Sequence, residues 1–118
     1  MTSFKHFDAK RRRDVIEIRL ANPALYDVAS YAELSEELID FVEQERPRTL
    51  LVDFSRVEYC STAVMNALLI AQKRLQPEGG LMKLYGMNDS VREAFRQLDL
   101  DSTAFDICDI EAAAMAAQ

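Results

Sequence analysis

The run Thr49-Leu50-Leu51-Val52-Asp53-Phe54 constrains this chain more than any other segment, because it is too short for a helix and too apolar for a strand with one wet face. Such a run reads as a strand covered on both sides, the form strands take inside a parallel sheet. A polar loop follows, and a helix begins near Ser61 or Thr62. At about 100° per residue, Val64, Ala67, Leu68, Ala71 and Leu75 gather on one side of that helix, while Thr62, Met65, Asn66, Leu69 and Lys73 gather on the other. The first side predicts core. The second predicts a surface with more apolar area than solvent favours. Gly79-Gly80 closes the helical segment, and residues 81–85 form another apolar strand. Strand, helix and strand at this spacing imply a right-handed crossover and parallel pairing.

The flanking segments extend this unit. Residues 4–8 read as a short first strand, the Arg11-Arg12-Arg13 run as a solvated turn, and residues 15–20 as a second strand in which Ile16, Ile18 and Leu20 alternate with Val15, Glu17 and Arg19. Asn22-Pro23 breaks that strand. Ser30-Tyr31-Ala32-Glu33 has capping-box spacing and opens a helix with the stripe Leu34, Leu38, Phe41 and Val42, which Pro47 stops. Ser90-Val91-Arg92-Glu93 repeats the spacing and opens a helix with the stripe Val91, Ala94, Phe95 and Leu98. A short strand near 105–108 and an alanine-rich helix from Asp109 complete the pattern. The expected fold is α/β, one domain over residues 1–118, with a mixed and mostly parallel sheet, an antiparallel edge strand at the N-terminal side and about four α-helices.

At 118 residues, 49% of them hydrophobic, the chain can bury a core without disulfides or a structural metal. Its net charge of −6 argues against nucleic acid as a partner, which needs a basic face to neutralise phosphates. No apolar run approaches the roughly 18 residues of a membrane span, and residues 1–6 lack a basic segment leading into an apolar one, so a cytoplasmic protein is expected. Cys60 and Cys108 lack C-x-x-C spacing and read as small reduced hydrophobes. The glycine-rich nucleotide signatures, G-x-S-x-G and H-E-x-x-H are absent, and His6 is the only histidine. Glu33, Glu36, Glu37, Asp40 and Glu43 follow one helix and read as its solvated face. No catalytic residue, metal ligand or cofactor is therefore expected.

The informative chemistry lies at Ser61 and Thr62. A hydroxyl at a helix N-terminus either caps orphan backbone N–H groups or, if exposed, offers a place where a phosphate is electrostatically tolerated. From the capped first helix to the C-terminus the chain resembles the STAS domain, the family of anti-sigma factor antagonists and of the cytoplasmic domains of sulfate transporters. The resemblance rests on Val52-Asp53-Phe54-Ser55, on Val57 and Tyr59, on the hydroxyl pair, on Leu81-Met82-Lys83-Leu84-Tyr85-Gly86 and on residues 91–100, in family order and spacing. Antagonists of this family carry an Asp, then a Ser or Thr that a partner kinase phosphorylates, then often a small residue and a Gly. Here those positions hold Ser61, Thr62, Ala63 and Val64, so two of the four depart from the commonest pattern.

The resemblance thus implies Thr62 as phosphoacceptor, with Ser61 as the alternative, and no enzymatic activity. It implies a binding module that engages an ATP-binding anti-sigma factor, itself a serine/threonine kinase, in a partner-switching circuit. The contact surface would comprise Ser61, Thr62, Met65, Asn66 and Leu69, with Lys73 at the rim. Two other readings stay open: a constitutive scaffold or homo-oligomerising subunit in which the hydroxyls only cap the helix, and a small-molecule or nucleotide sensor, for which no phosphate-cradling loop is present.

Overall fold

A computed structural model describes residues 2–3, 7–12, 15–20, 28–57, 62–97 and 106–108. In chain order these form β1 (Thr2–Ser3), β2 (Phe7–Arg12), β3 (Val15–Leu20), α1 (Val28–Glu45), β4 (Thr49–Asp53), α2 (Thr62–Leu75), a 3-10 turn (Gln76–Glu78), β5 (Leu81–Tyr85), α3 (Asp89–Gln97) and β6 (Asp106–Cys108). The six strands make one sheet in the order β1-β2-β3-β4-β5-β6. β1 with β2 and β2 with β3 pair antiparallel, and the remaining pairs are parallel. The expected α/β architecture is present, a mostly parallel sheet entered through an antiparallel hairpin.

Alternation decides which side of the sheet is core. Ile16, Ile18 and Leu20 of β3, Leu50 and Val52 of β4, and Met82 and Leu84 of β5 face the same way and pack with Leu34, Leu38, Phe41 and Val42 of α1, with Val64, Leu68, Ala71 and Leu75 of α2, and with Val91 and Phe95 of α3. The three helices therefore cover one face, as right-handed crossovers between successive neighbouring strands require. Phe7 closes this core at the hairpin edge, edge-to-face on Phe41 at 5.6 Å between ring centres. On the opposite face Leu51, Tyr85 and Val15 make a small apolar patch, so every residue of β4 is buried, as its apolar run predicts.

Three local expectations change. Arg11 and Arg12 belong to β2 and not to a turn: Arg11 pairs with Ile16 and Arg12 with Val15, and the Arg11 guanidinium reaches the Glu45 carboxylate at 3.3 Å. A charged run reads as a turn when the alternation of buried Phe7 and Ala9 with Asp8 and Lys10 is overlooked. α1 begins at Val28, two residues ahead of the proposed cap at Ser30. α3 is capped by Asn88 in place of Ser90, its Oδ1 accepting the Val91 N–H at 2.7 Å. The described residues contain three α-helices. The alanine-rich terminal helix, the Asn22-Pro23 break, and residues 4–6 of the first expected strand lie outside the described residues.

Candidate functional site

Parallel strands finish at a common edge, and there the loop from β4 to α2 is built from residues that fasten it to three neighbours. Asp53 ends β4 in register with Arg19 of β3 and Tyr85 of β5. Its carboxylate is buried, Oδ2 accepting from Arg19 Nε at 2.9 Å and Oδ1 from the Ser55 N–H at 2.8 Å. The hydrogen bond and charge of Asp53 raise the Arg19 pKa above its ordinary value. Gly86 makes this arrangement sterically allowed. It leaves β5 at φ 78°, and a Cβ there would stand 2.9 Å from Asp53 Oδ1 and 3.2 Å from the Ser55 nitrogen.

Beyond Asp53 the ladder continues for one residue, Phe54 N–H donating to Tyr85 O at 2.9 Å, and a turn closes with Val57 N–H on Phe54 O. The Phe54 ring is buried edge-to-face on Phe95 of α3, 5.9 Å between centres. An aromatic pair of this geometry adds about 0.5–1.5 kcal/mol beyond area burial. Asn88 supplies a second tether: while its Oδ1 caps α3, its Nδ2 donates to Val57 O in a longer bond of 3.4 Å. Ser55 and Arg56 stand exposed at the turn.

Thr62 opens α2 and is exposed, with Asn66 exposed one turn further on the same face. The first turn of α2 holds no acidic residue and its last turn holds Lys73 and Arg74, so the helix's own side-chain charges complement its dipole at the C-terminal end and not in the first turn. Lys73 is exposed but lies about 16 Å along the axis from Thr62, at a rise of about 1.5 Å per residue. Leu69 is half-buried and packs on the core. Met65 corrects the expected surface: it is 2% exposed and belongs to the core. α2 packs against α1 as well as the sheet, so its buried arc is wider than the single stripe read from periodicity. Of the expected contact residues, Thr62, Asn66 and Lys73 are presented and Leu69 partly so, whereas Ser61 lies outside the described residues. Sequence reasoning missed the Arg19–Asp53 pair, Gly86 and Asn88; only the polar trio Asn88-Asp89-Ser90 hinted at the last.

Among the described residues no group of three or more His, Cys, Asp or Glu side chains could hold a metal ion, and no helix is long and apolar enough to cross a membrane. A mixed sheet with successive strands as neighbours, helices on one face and a fastened loop leading into the helix after the second parallel strand defines a known domain class. The STAS domain family matches residues 6–114, and the chain belongs to that family. Among solved structures, a STAS domain protein from Planctomyces limnophilus is similar at a TM-score of 0.81 and 15% identity, over 94% of this chain and 96% of that one. An anti-sigma factor antagonist from Mycobacterium paratuberculosis is similar at 0.79 and 19%, over 94% and 91%. The antagonist SpoIIAA is similar in its unphosphorylated form at 0.76 and 18%, over 94% of each chain, and the Bacillus protein in its phosphorylated form at 0.67 and 17%, over 95% and 99%. At these identities the likeness is one of fold. No curated protein matches the chain in sequence.

Proposed function

We propose that this STAS domain is an anti-sigma factor antagonist, a binding module that docks through the start of α2 on an ATP-binding anti-sigma factor kinase and is released when Thr62 is phosphorylated. The observation that carries this reading is the exposure of Thr62 at the head of a helix whose first turn is free of acidic residues, beside a loop fastened by Asp53, Phe54 and Asn88. Relatives of the same fold include antagonists, one of them solved with and without phosphate.

The physical logic follows from charge. A phosphate adds about −1.5 to −2 charges at pH 7 and is stabilised in the free protein by the helix dipole and first-turn N–H groups. Buried against a partner, the same group loses its hydration, so affinity falls while the fold stays put. With Met65 inside, the exposed part of the surface is more polar than periodicity suggests, and Thr62 and Asn66 carry recognition with the loop beside them. The monotonic strand order reinforces a protein partner. Small ligands of open α/β sheets sit in the crevice where strand order reverses, and among the six strands here it does not reverse.

The test uses wild-type protein and its Thr62→Glu form as parallel baits in lysate of the native host, with peptide mass spectrometry for phosphate on Ser61 or Thr62. Capture of an ATP-binding anti-sigma kinase by wild type alone, with thermal stability nearly equal for the two baits, is expected. Identical partners on both baits with neither hydroxyl modified would reject the switch and leave a constitutive scaffold.

A further inference from the structure

The end of the molecule opposite Thr62 gathers cations. Arg12, Val15, Thr49 and Leu81 occupy one row across β2, β3, β4 and β5, at the start of the parallel strands. Arg48 precedes that row and its carbonyl accepts the Leu81 N–H at 2.9 Å. α1 and α2 run back against the strands and finish at the same end, where Arg11 meets Glu45 and Arg74 pairs with Glu43. Arg46 follows α1 directly and Lys73 lies in the last turn of α2. Arg11, Arg46, Arg48, Lys73 and Arg74 thus share this end with Glu43 and Glu45, so among these exposed described side chains the pole is positive, on a chain of net charge −6. Arg48 and Lys73 are exposed and have no carboxylate partner among the described residues. Leu81, 53% exposed, is the large hydrophobic that the described residues leave in solvent, and it stands in the same row.

We propose that this pole binds peripherally to an anionic lipid surface, with the cations among the head groups and Leu81 inserted at the interface. Two observations favour lipid over nucleic acid. α1 and α2 present their carbonyl ends here, so the backbone N–H groups that commonly position nucleic-acid phosphates point away. An exposed leucine among arginines finds apolar surroundings at a lipid interface and none on a phosphate backbone. No acyl anchor is needed for weak, reversible binding, because each cation near an anionic leaflet strengthens it about fivefold. The geometry keeps the two surfaces apart. With the basic pole on the membrane, Thr62 sits the length of α2 away, about 21 Å at a rise of about 1.5 Å per residue, and faces the aqueous side.

Sedimentation with sucrose-loaded vesicles tests this on the full chain, comparing phosphatidylcholine alone with phosphatidylcholine containing about one quarter phosphatidylglycerol. Wild type is expected to sediment with the anionic vesicles only, and less as salt is raised. Arg48→Glu/Lys73→Glu is expected to weaken binding at least about 25-fold, from two lost attractions alone, and Leu81→Ser a few-fold, each with an unchanged circular dichroism spectrum. Arg92→Glu on α3, at the other end, is expected to bind as wild type does. Absence of binding to anionic vesicles at low salt, or equal binding by the Arg48→Glu/Lys73→Glu protein, overturns the proposal. Displacement from the vesicles by a DNA duplex at lower phosphate concentration overturns it in favour of nucleic acid.

Discussion

Gly86→Ala and Gly79→Ala form a matched pair that isolates the contact beneath the β4–α2 loop. Both glycines are left-handed, at φ 78° and 76°. Placing any residue with a Cβ there costs about 1–2 kcal/mol in backbone strain. They differ in surroundings: a Cβ at Gly79 meets nothing within 4 Å, whereas one at Gly86 stands 2.9 Å from Asp53 Oδ1 and 3.2 Å from the Ser55 nitrogen. The carboxylate must then move off the Ser55 N–H, and a hydrogen bond to a charged group is worth about 1.5–3 kcal/mol. Gly79→Ala is therefore expected to lose about 1–2 kcal/mol and Gly86→Ala about 2.5–5 kcal/mol. In urea unfolding followed by circular dichroism, with a slope of about 1–1.5 kcal/mol per molar, the two midpoints separate by about 1 M or more. Adding Asp53→Asn to each background sharpens the test, because the second change should cost less after Gly86→Ala than after Gly79→Ala. Equal midpoints for the two alanine variants, or additive costs in both backgrounds, would refute the assignment of Gly86 as the space that seats Asp53.

Met65→Ala is expected to lower stability by about 2–5 kcal/mol in the same assay, the range for truncating a buried side chain, and a loss below about 0.5 kcal/mol, as at a surface position, would return Met65 to the exposed face. Asn88→Ala removes the cap of α3 together with the tether to Val57, so a loss of about 0.5–2 kcal/mol is expected, accompanied by faster amide exchange at Val91. Unchanged exchange at that amide would show that Asn88 does not cap the helix.

How much of this was legible depends on whether the determining contact is local. β4 announces itself because both of its faces are occupied, which removes alternation and leaves an apolar run, and β5 follows it with Lys83 inside and Leu81 exposed at its start. The core stripes of α1 and α3 follow from their spacing, and Leu34, Leu38, Phe41, Val42, Val91 and Phe95 are buried as expected. Met65 was misplaced because a helical wheel supposes one buried direction, and α2 has two neighbours. The capping-box spacing at Ser90 put the cap of α3 two residues late, because Asn88 ahead of it takes the Val91 N–H. The fastening of the Thr62 junction had no sequence signature at all. Asp53 meets Gly86, and Val57 meets Asn88, only because β4 and β5 lie side by side, a fact of tertiary pairing that no local pattern encodes.

The strand order has a consequence for how the chain is made. Each described strand pairs with the one that precedes it in sequence, so a chain emerging from the ribosome extends its sheet one edge at a time and never waits for a distant partner. The Thr62 junction is an exception to that steady growth. Its hydroxyl helix is synthesised before Tyr85, Gly86 and Asn88, the residues that hold the preceding loop in place. Until β5 and the start of α3 are added, the loop ahead of Thr62 has the Arg19–Asp53 and Asp53–Ser55 contacts but lacks those to Tyr85 and Asn88. The final geometry of this junction therefore depends on residues from the domain's second half.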